Sequence, residues 1–397
     1  MHDFAKITIA IFVIAALALG GYFIYEEFFK SKVEEALKTE TTEAVTIPNE
    51  ILDSKYGFLS GHPESEKTIR EYGGRWARPH VGPFLWERMQ EGATAEIGFE
   101  TTDQLVEDYQ EQGLAILVTL WPFADWDQKN KTNPEQYKVD DSDDFLQGVS
   151  EKREKEYLPW YRGSPHDWEA YQRWIKTVVE RYDGDGIDDM PGLTIPIKYW
   201  EVMNEPDLFD PQDPNDEDST LSFYKEGPEE YATLLIKTNQ AIKEADPKAK
   251  VLIAGAAGGS DQFFTFYRDV FKNKSAIQAF DIGNVHCISN DNFDSLNVEP
   301  YKKLLQEFKI NKPIWVTEAE TAISDDADIN ASQLYNSVKK ALSLGAKRIF
   351  FTRYEFEVYE EPGSKGLKMP EELSEGVKVI IDGSNAKTAY QKITKLK

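Results

Sequence analysis

From Tyr56 onward the sequence alternates between two signals: short apolar runs of strand length, and longer stretches whose apolar residues recur at helical spacing. Eight such units can be marked. Their strands are expected at YGFLS from Tyr56, GRWAR from Gly74, LAILVTL from Leu114, IKYWEVM from Ile197, KVLIAG from Lys250, DIGNVH from Asp281, PIWVT from Pro313 and KRIFFT from Lys347. Helices between them include PHDWEAYQRWIKTVVERY from Pro165, PEEYATLLIKTNQAIKEA from Pro228 and NASQLYNSVKKALSLG from Asn330, the last with Asn330 as N-cap and Gly345 as stop. A chain that alternates in this way buries a parallel sheet under helices, and eight units over about 340 residues suit a closed barrel better than an open sheet. A doubly wound sheet would alternate as well, but the turn after the first strand, YGFLSGHPES, lacks the glycine spacing of a phosphate-binding turn. The expected class is α/β, a (β/α)8 TIM barrel, with no internal repeat and no second domain.

Ahead of the barrel, Ile7 to Tyr25 (ITIAIFVIAALALGGYFIY) carries no charged side chain and is long enough to cross a bilayer as a helix. It reads as an uncleaved N-terminal transmembrane anchor. A cleaved signal peptide is the rival, since Ala16-Leu17-Ala18 has the small-x-small form of a cleavage site, although the apolar run continues past it. Lys6 precedes the span while Lys30 and Lys32 follow it beside Glu26 and Glu27, so flanking charge gives little orientation, and a large domain after such a span is expected outside the cytoplasm. The polar stretch 31–50 then serves as a linker. The division expected is an anchor over 1–30, a linker over 31–50 and the barrel over 51–397.

A formal charge of -25 argues against a nucleic-acid partner, whose phosphates require clustered Lys and Arg. Cys287 is the only cysteine, so no disulfide can form within the chain and the fold rests on its core.

The strand expected at IKYWEVM ends on Asn204-Glu205-Pro206-Asp207, and the strand at PIWVT ends on Glu318, with Glu320 two residues on. In a barrel the C-terminal ends of the strands open onto one face, so Asn204 and Glu205 from the fourth strand and Glu318 from the seventh would meet at its mouth. Pro206 turns the chain away once the strand has delivered them. Two carboxylates at one mouth are the minimum for glycoside hydrolysis, one protonating the leaving oxygen and the other attacking the anomeric carbon. Glu320 competes with Glu318, since alternation would point both to the same side of a continuing strand.

With WEVMNEPD and PIWVTEAE in this order and on these strands, the chain resembles the clan A glycoside hydrolases over residues 56–397. The resemblance implies a retaining mechanism on a β-linked carbohydrate, with Glu205 as acid/base, Glu318 as nucleophile and Asn204 bonding the sugar 2-hydroxyl. It also implies that Arg78, in GGRWARPH, lies beside the nucleophile, where its charge would keep Glu318 ionised. His286, ending the sixth strand, matches a histidine that similar enzymes turn toward substrate, and a buried structural histidine is the alternative. Ile288 stands where the clan often has a tyrosine, and the eighth strand, FFTRYEF, lacks the tryptophan many relatives use as a sugar platform. Tyr354 and Trp121 are the aromatic platforms considered in its place, with Arg353 as a residue for a charged sugar and Trp76 assigned to the core. No organic cofactor is required. A catalytically silent glycan-binding protein and a transglycosylase are the alternative functions on the same barrel.

Asp183, Asp185, Asp188 and Asp189 in YDGDGIDDMPG form a glycine-containing acidic turn suited to structural Ca²⁺. The match to a complete calcium loop is partial, because Ile187 and Thr194 stand where oxygen ligands belong, and a solvated acidic turn is the alternative. The two longest insertions, about residues 122–164 and 207–227, follow the third and fourth strands and are expected to wall the mouth.

Overall fold

All eight apolar runs pair as parallel strands: β1 (Tyr56–Ser60), β2 (Trp76–Pro79), β3 (Ala115–Leu120), β4 (Tyr199–Val202), β5 (Lys250–Ile253), β6 (Gly283–Cys287), β7 (Ile314–Ala319) and β8 (Ala346–Phe351). The structure is a computed structural model and describes residues 44–60, 64–80, 82–138, 158–208, 223–288, 293–320, 324–356 and 381–397. Each strand pairs with its sequence neighbours, and β1 pairs with both β2 and β8. The seam between β5 and β6 is closed by bridges from Leu252 to Ile282 and from Ala256 to Val285. The sheet is therefore a closed barrel, which excludes the open doubly wound alternative.

Each strand is followed by an outer helix: α1 (Ser65–Tyr72), α2 (Glu100–Glu111), α3 (Trp168–Tyr182), α4 (Pro228–Ala245), α5 (Asp261–Lys272), α6 (Val298–Glu307), α7 (Ala327–Leu344) and α8 (Ala386–Ile393). Helix α3 shows why they form where they do. Asp167 caps it by accepting from the Ala170 amide, and Tyr171, Trp174, Ile175, Val178 and Tyr182 make one buried stripe at helical spacing. In α7 the expected cap is wrong. Asp326 caps the helix, accepting from the Asp328 and Ile329 amides, while Asn330 lies a turn inside and bonds the backbone of Ser324 and Phe356. Gly345 does stop it, at φ 110°, where any other residue would be strained.

Inside the barrel the side chains change character from one end to the other. At the N-terminal end of the strands, Trp76, Leu117, Leu252, Trp315 and Phe350 form an apolar plug. Residues expected to belong to the linker are part of this end: the Val45 amide bonds the Gly184 carbonyl at 2.8 Å, and Ile47 and Ile51 pack onto the plug. Among the described residues packing thus reaches back to Val45, ahead of residue 51, because two buried isoleucines offset the cost of ordering this stretch. The apolar stretch Ile7 to Tyr25 lies outside the described residues, and among the described residues no helix is long and apolar enough to cross a membrane.

Segments 139–157 and 209–222 of the two long insertions also lie outside the described residues. Their described ends are tied to each other. Glu226 pairs with Lys131 at 2.5 Å and accepts from the Ser164 amide at 2.6 Å, joining the insertion after β3 to the one after β4.

Candidate active site

Alternation along the strands puts Trp76 and Arg78 of β2, Tyr199 and Glu201 of β4, Asn284 and His286 of β6, and Trp315 and Thr317 of β7 toward the barrel axis. The upper members of these pairs are polar, and they meet. Arg78, wholly buried, donates from Nε to Glu201, from Nη1 to Glu318 and from Nη2 to Asn204, each at 2.7 Å. Burial alone would lower its pKa, but Glu201 and Glu318 more than reverse that and hold it above the ordinary value.

Two irregularities of the backbone bring the glutamates in. In β7 the register slips against both neighbours: Val285 faces Val316 while His286 faces Glu318, and Val316 and Ala319 face Ile349 and Phe351 of β8. This bulge lets Thr317 and Glu318 both face inward, where strict alternation would send Glu318 to the helices. At the end of β4, Met203 and Glu205 adopt left-handed backbone, with φ of 70° and 41°. Neither is glycine, so each conformation costs on the order of 1 kcal/mol or more. Strain of this kind at a strand end is characteristic of functional sites.

Glu205, Glu318 and His286 converge there. One oxygen of each carboxylate and a ring nitrogen of His286 lie within 4.8 Å of one another. His286 Nδ1 is 2.5 Å from Glu205 Oε1 and 3.7 Å from Glu318 Oε1, and its Nε2 is 2.9 Å from Thr317 Oγ1. The ring fits against the chain just past β5 only because residue 255 is glycine; a Cβ there would stand 2.1 Å from Nε2. Burial raises the Glu318 carboxyl above its ordinary range, opposed by His286 and Arg78. The expectation that Arg78 would hold Glu318 ionised is therefore only partly met: the guanidinium is in contact, yet it does not outweigh the loss of water. Burial opposes the imidazolium form of His286, but the neighbouring Glu318 and Glu205 prevail and raise its pKa.

The structure brings together Arg78, Asn204, Glu205, His286 and Glu318. Others lie elsewhere. Glu320 follows the end of β7 and turns outward, accepting from Thr352 Oγ1 at 2.6 Å and pairing with Arg353 at 3.2 Å, so it does not compete with Glu318. Tyr354 is half-buried against the core and its hydroxyl is already engaged: it donates to the Leu59 carbonyl, and the ring packs on Phe58 and Tyr72. Trp121 sits by the mouth but offers no open face, being wholly buried with Phe123, Phe223 and His80 around it. Trp76 is core, as expected, and its indole donates to the Ile51 carbonyl.

The structure also holds polar residues that sequence reasoning passed over. Glu201, wholly buried, accepts from Arg78, from Thr119 Oγ1 at 2.5 Å and from Asn284 Nδ2 at 2.6 Å. A lone glutamate inside the apolar run KYWEVM was the available signal. Asp207, two residues past Glu205, accepts from the Ala257 amide, while its other oxygen is buried with no partner among the described residues; burial and Glu205 push its carboxyl well above the usual range. His80, ending the same stretch as Arg78, is pushed well below the usual imidazole range by burial and by Arg78.

No family model matches the sequence, and no curated protein matches it. Among solved structures it is similar to a glucosidase from Croceicoccus marinus, with TM-score 0.52 and 13% identity over 86% of this chain and 67% of that one. It is also similar to a family 39 glycoside hydrolase from Bacteroides cellulosilyticus, with TM-score 0.53 and 15% identity over 86% of this chain and 63% of that one. A third is xylanase 10B from Thermotoga petrophila, with TM-score 0.50 and 16% identity over 89% of this chain and 98% of that one. This chain thus spans less than two thirds of the family 39 protein. It shares the barrel fold of these three structures.

At the opposite end of β4, the acidic turn assembles in part. Asp183, Asp185 and Asp189 bring carboxylate oxygens within 4.8 Å of one another, and Asp188 is not among them. The three carboxylates already accept from backbone amides of the turn, Asp189 from Gly184 and Gly186, Asp183 from Asp185, and Asp185 from Ile187. Burial, and after it the crowding of carboxylates, pushes Asp183 up to about 6 and the neighbouring Glu180 up to about 7. Those three are the residues that would hold a hard cation, at the end away from the mouth.

Proposed function

We propose that this protein is a retaining glycoside hydrolase acting on a β-linked oligo- or polysaccharide, with Glu318 as nucleophile and Glu205 as acid and base. One observation carries the reading: carboxylates from the ends of β4 and β7 come within 4.8 Å at the barrel mouth. Such a separation suits direct attack by one of them, whereas an inverting pair stands about 6.5–9.5 Å apart to admit a water. In the first step Glu318 bonds the anomeric carbon as Glu205 gives a proton to the departing oxygen. In the second, Glu205 takes a proton from the water that releases the sugar.

Arg78 orders the set, since it grips Glu318 and Asn204 together. Its bond occupies the Asn204 carbonyl oxygen, which leaves the Asn204 NH2 to meet a sugar hydroxyl. That solved structures named as a glucosidase and a xylanase share the fold supports a saccharide substrate.

The test is a panel of β-linked polysaccharides and aryl β-glycosides, with the anomer first released followed by NMR. Retention is expected, and Glu205→Gln or Glu318→Gln should cut hydrolysis of an unactivated linkage by roughly a thousandfold or more. An inverted first product, or hydrolysis indifferent to both substitutions, would overturn the mechanism. Binding without turnover would identify a glycan-binding protein, and transfer to an added alcohol a transglycosylase.

A further inference from the structure

Below the two glutamates, four side chains form a hydrogen-bond chain whose direction can be read from which groups are able to donate. Glu201, ion-paired with Arg78, can only accept, so Asn284 must turn its NH2 to Glu201 Oε1 at 2.6 Å. The Asn284 carbonyl oxygen then faces Thr317 Oγ1 at 2.9 Å, and it too can only accept. Thr317 has one hydrogen. Whether it goes to Asn284 or to Glu201, 3.3 Å away, Thr317 is left with only lone pairs for His286 Nε2 at 2.9 Å. Nε2 must therefore carry a hydrogen.

This constrains the other ring nitrogen. With Nε2 protonated, the 2.5 Å contact between Nδ1 and Glu205 Oε1 needs one further proton, held either as imidazolium donating to carboxylate or as carboxylic acid donating to neutral imidazole. Without it, a nitrogen lone pair would face a carboxylate oxygen in a dry site. The opposite tautomer, with Nδ1–H and bare Nε2, would let Glu205 sit there with no proton to give. We propose that Glu201, Asn284 and Thr317 are positioning residues that fix His286 as its Nε2–H form and thereby keep one proton lodged between His286 and Glu205. The inference rests on Glu205 being the acid and base. In the first step that proton goes to the leaving oxygen, which departs as an alcohol; in the second, a proton from the attacking water refills the link. Arg78 from β2 and His80 just past it, Glu201, Glu205 and Asp207 from β4 and its end, and Glu318 from β7 are charged and titratable groups around His286 among the described residues.

Thr317→Val keeps the shape and removes the hydroxyl, and Thr317→Ser keeps the hydroxyl. For a glycoside with a poor leaving group, Thr317→Val should lower kcat/KM by roughly tenfold to a hundredfold and move the alkaline limb to lower pH. An aryl glycoside whose phenol departs without protonation should lose no more than about threefold, and Thr317→Ser should restore both substrates. An equal loss on the two substrates, or no loss on either, overturns the proposal. A second readout does not depend on turnover: the ring nitrogens of His286, one of five histidines, observed by ¹⁵N NMR. A protonated Nε2 in the wild-type protein at neutral pH is expected, and a bare Nε2 overturns the relay whatever the activity. If no glycoside is cleaved by the wild-type protein, the hydrolase reading fails while the NMR result still decides the relay.

Discussion

Arg348 and Arg78 are both buried in the barrel interior, and their surroundings have little in common. Arg348, at the end where the strands begin, lies 3.9 Å from the Trp76 ring centroid and 4.4 Å from that of Trp315. Its donors reach the carbonyls of Ser54 and Leu52. Among the described residues no carboxylate is paired with it, and burial pushes its pKa down to about 10. Arg78 stands two residues beyond Trp76 on the same strand, gripped by two carboxylates and an amide. Faces of tryptophan and backbone carbonyls can hold a guanidinium as packing material. At the mouth the guanidinium is the counter-charge without which Glu201 and Glu318 would be buried alone.

The contrast is sharpest under substitution. Arg78→Met should destabilise the protein by about 3–5 kcal/mol, since it leaves two buried carboxylates unpaired, and should abolish activity; urea denaturation and kcat measure the two effects. Arg348→Met should cost about 1–3 kcal/mol for the lost hydrogen bonds and stacking, with kcat unchanged, and an equal loss from both substitutions would erase the distinction between the two ends.

Acidity tests both ends, the mouth first. Because burial raises Glu318 above its ordinary 4.5, its neutral form is the one the fold favours: the stability it contributes is present below the unfolded value and lost as pH rises through the folded one. The acid limb of kcat/KM should therefore lie above 4.5, and Glu318→Gln should be inactive yet no less stable than wild type at neutral pH, by thermal melting. The smallest effect belongs to the acidic turn. Asp183 is raised from 3.8 to about 6, so its ionised form opposes folding above that pH, and the sign is the same as for Glu318. Asp183→Asn should stabilise by on the order of 1 kcal/mol at pH 7, after allowance for screening, and the gain should vanish below the unfolded value. Added Ca²⁺ that raises the melting temperature of wild type but not of Asp183→Asn would assign a cation to the turn.

How much of this was legible differs between the two ends as well. The apolar plug follows from runs of Trp, Ile, Leu and Val, so all eight strands could be marked from residue type alone. At the mouth, Glu205 and Glu318 stood out as carboxylates ending such runs. What lets Glu318 face inward, the bulge in β7, left no such mark, because strict alternation from Trp315 would bring in Thr317 and turn Glu318 out. Glu201 looked like one polar residue in a strand, and its partner Arg78 is remote in sequence. Trp121 misled for a general reason: a large ring gains more by burial than by waiting for a ligand, and it is wholly buried, while Tyr354 is half-buried with its hydroxyl bonded to the Leu59 carbonyl.

The backbone stitch between Val45 and Gly184, with Ile47 and Ile51 seated on the plug, fixes where the polypeptide enters the barrel. Entry is from beneath, with the pair of glutamates on the far side. A label or bead attached at Ala44 would accordingly hold the molecule by its base and leave the mouth open from above.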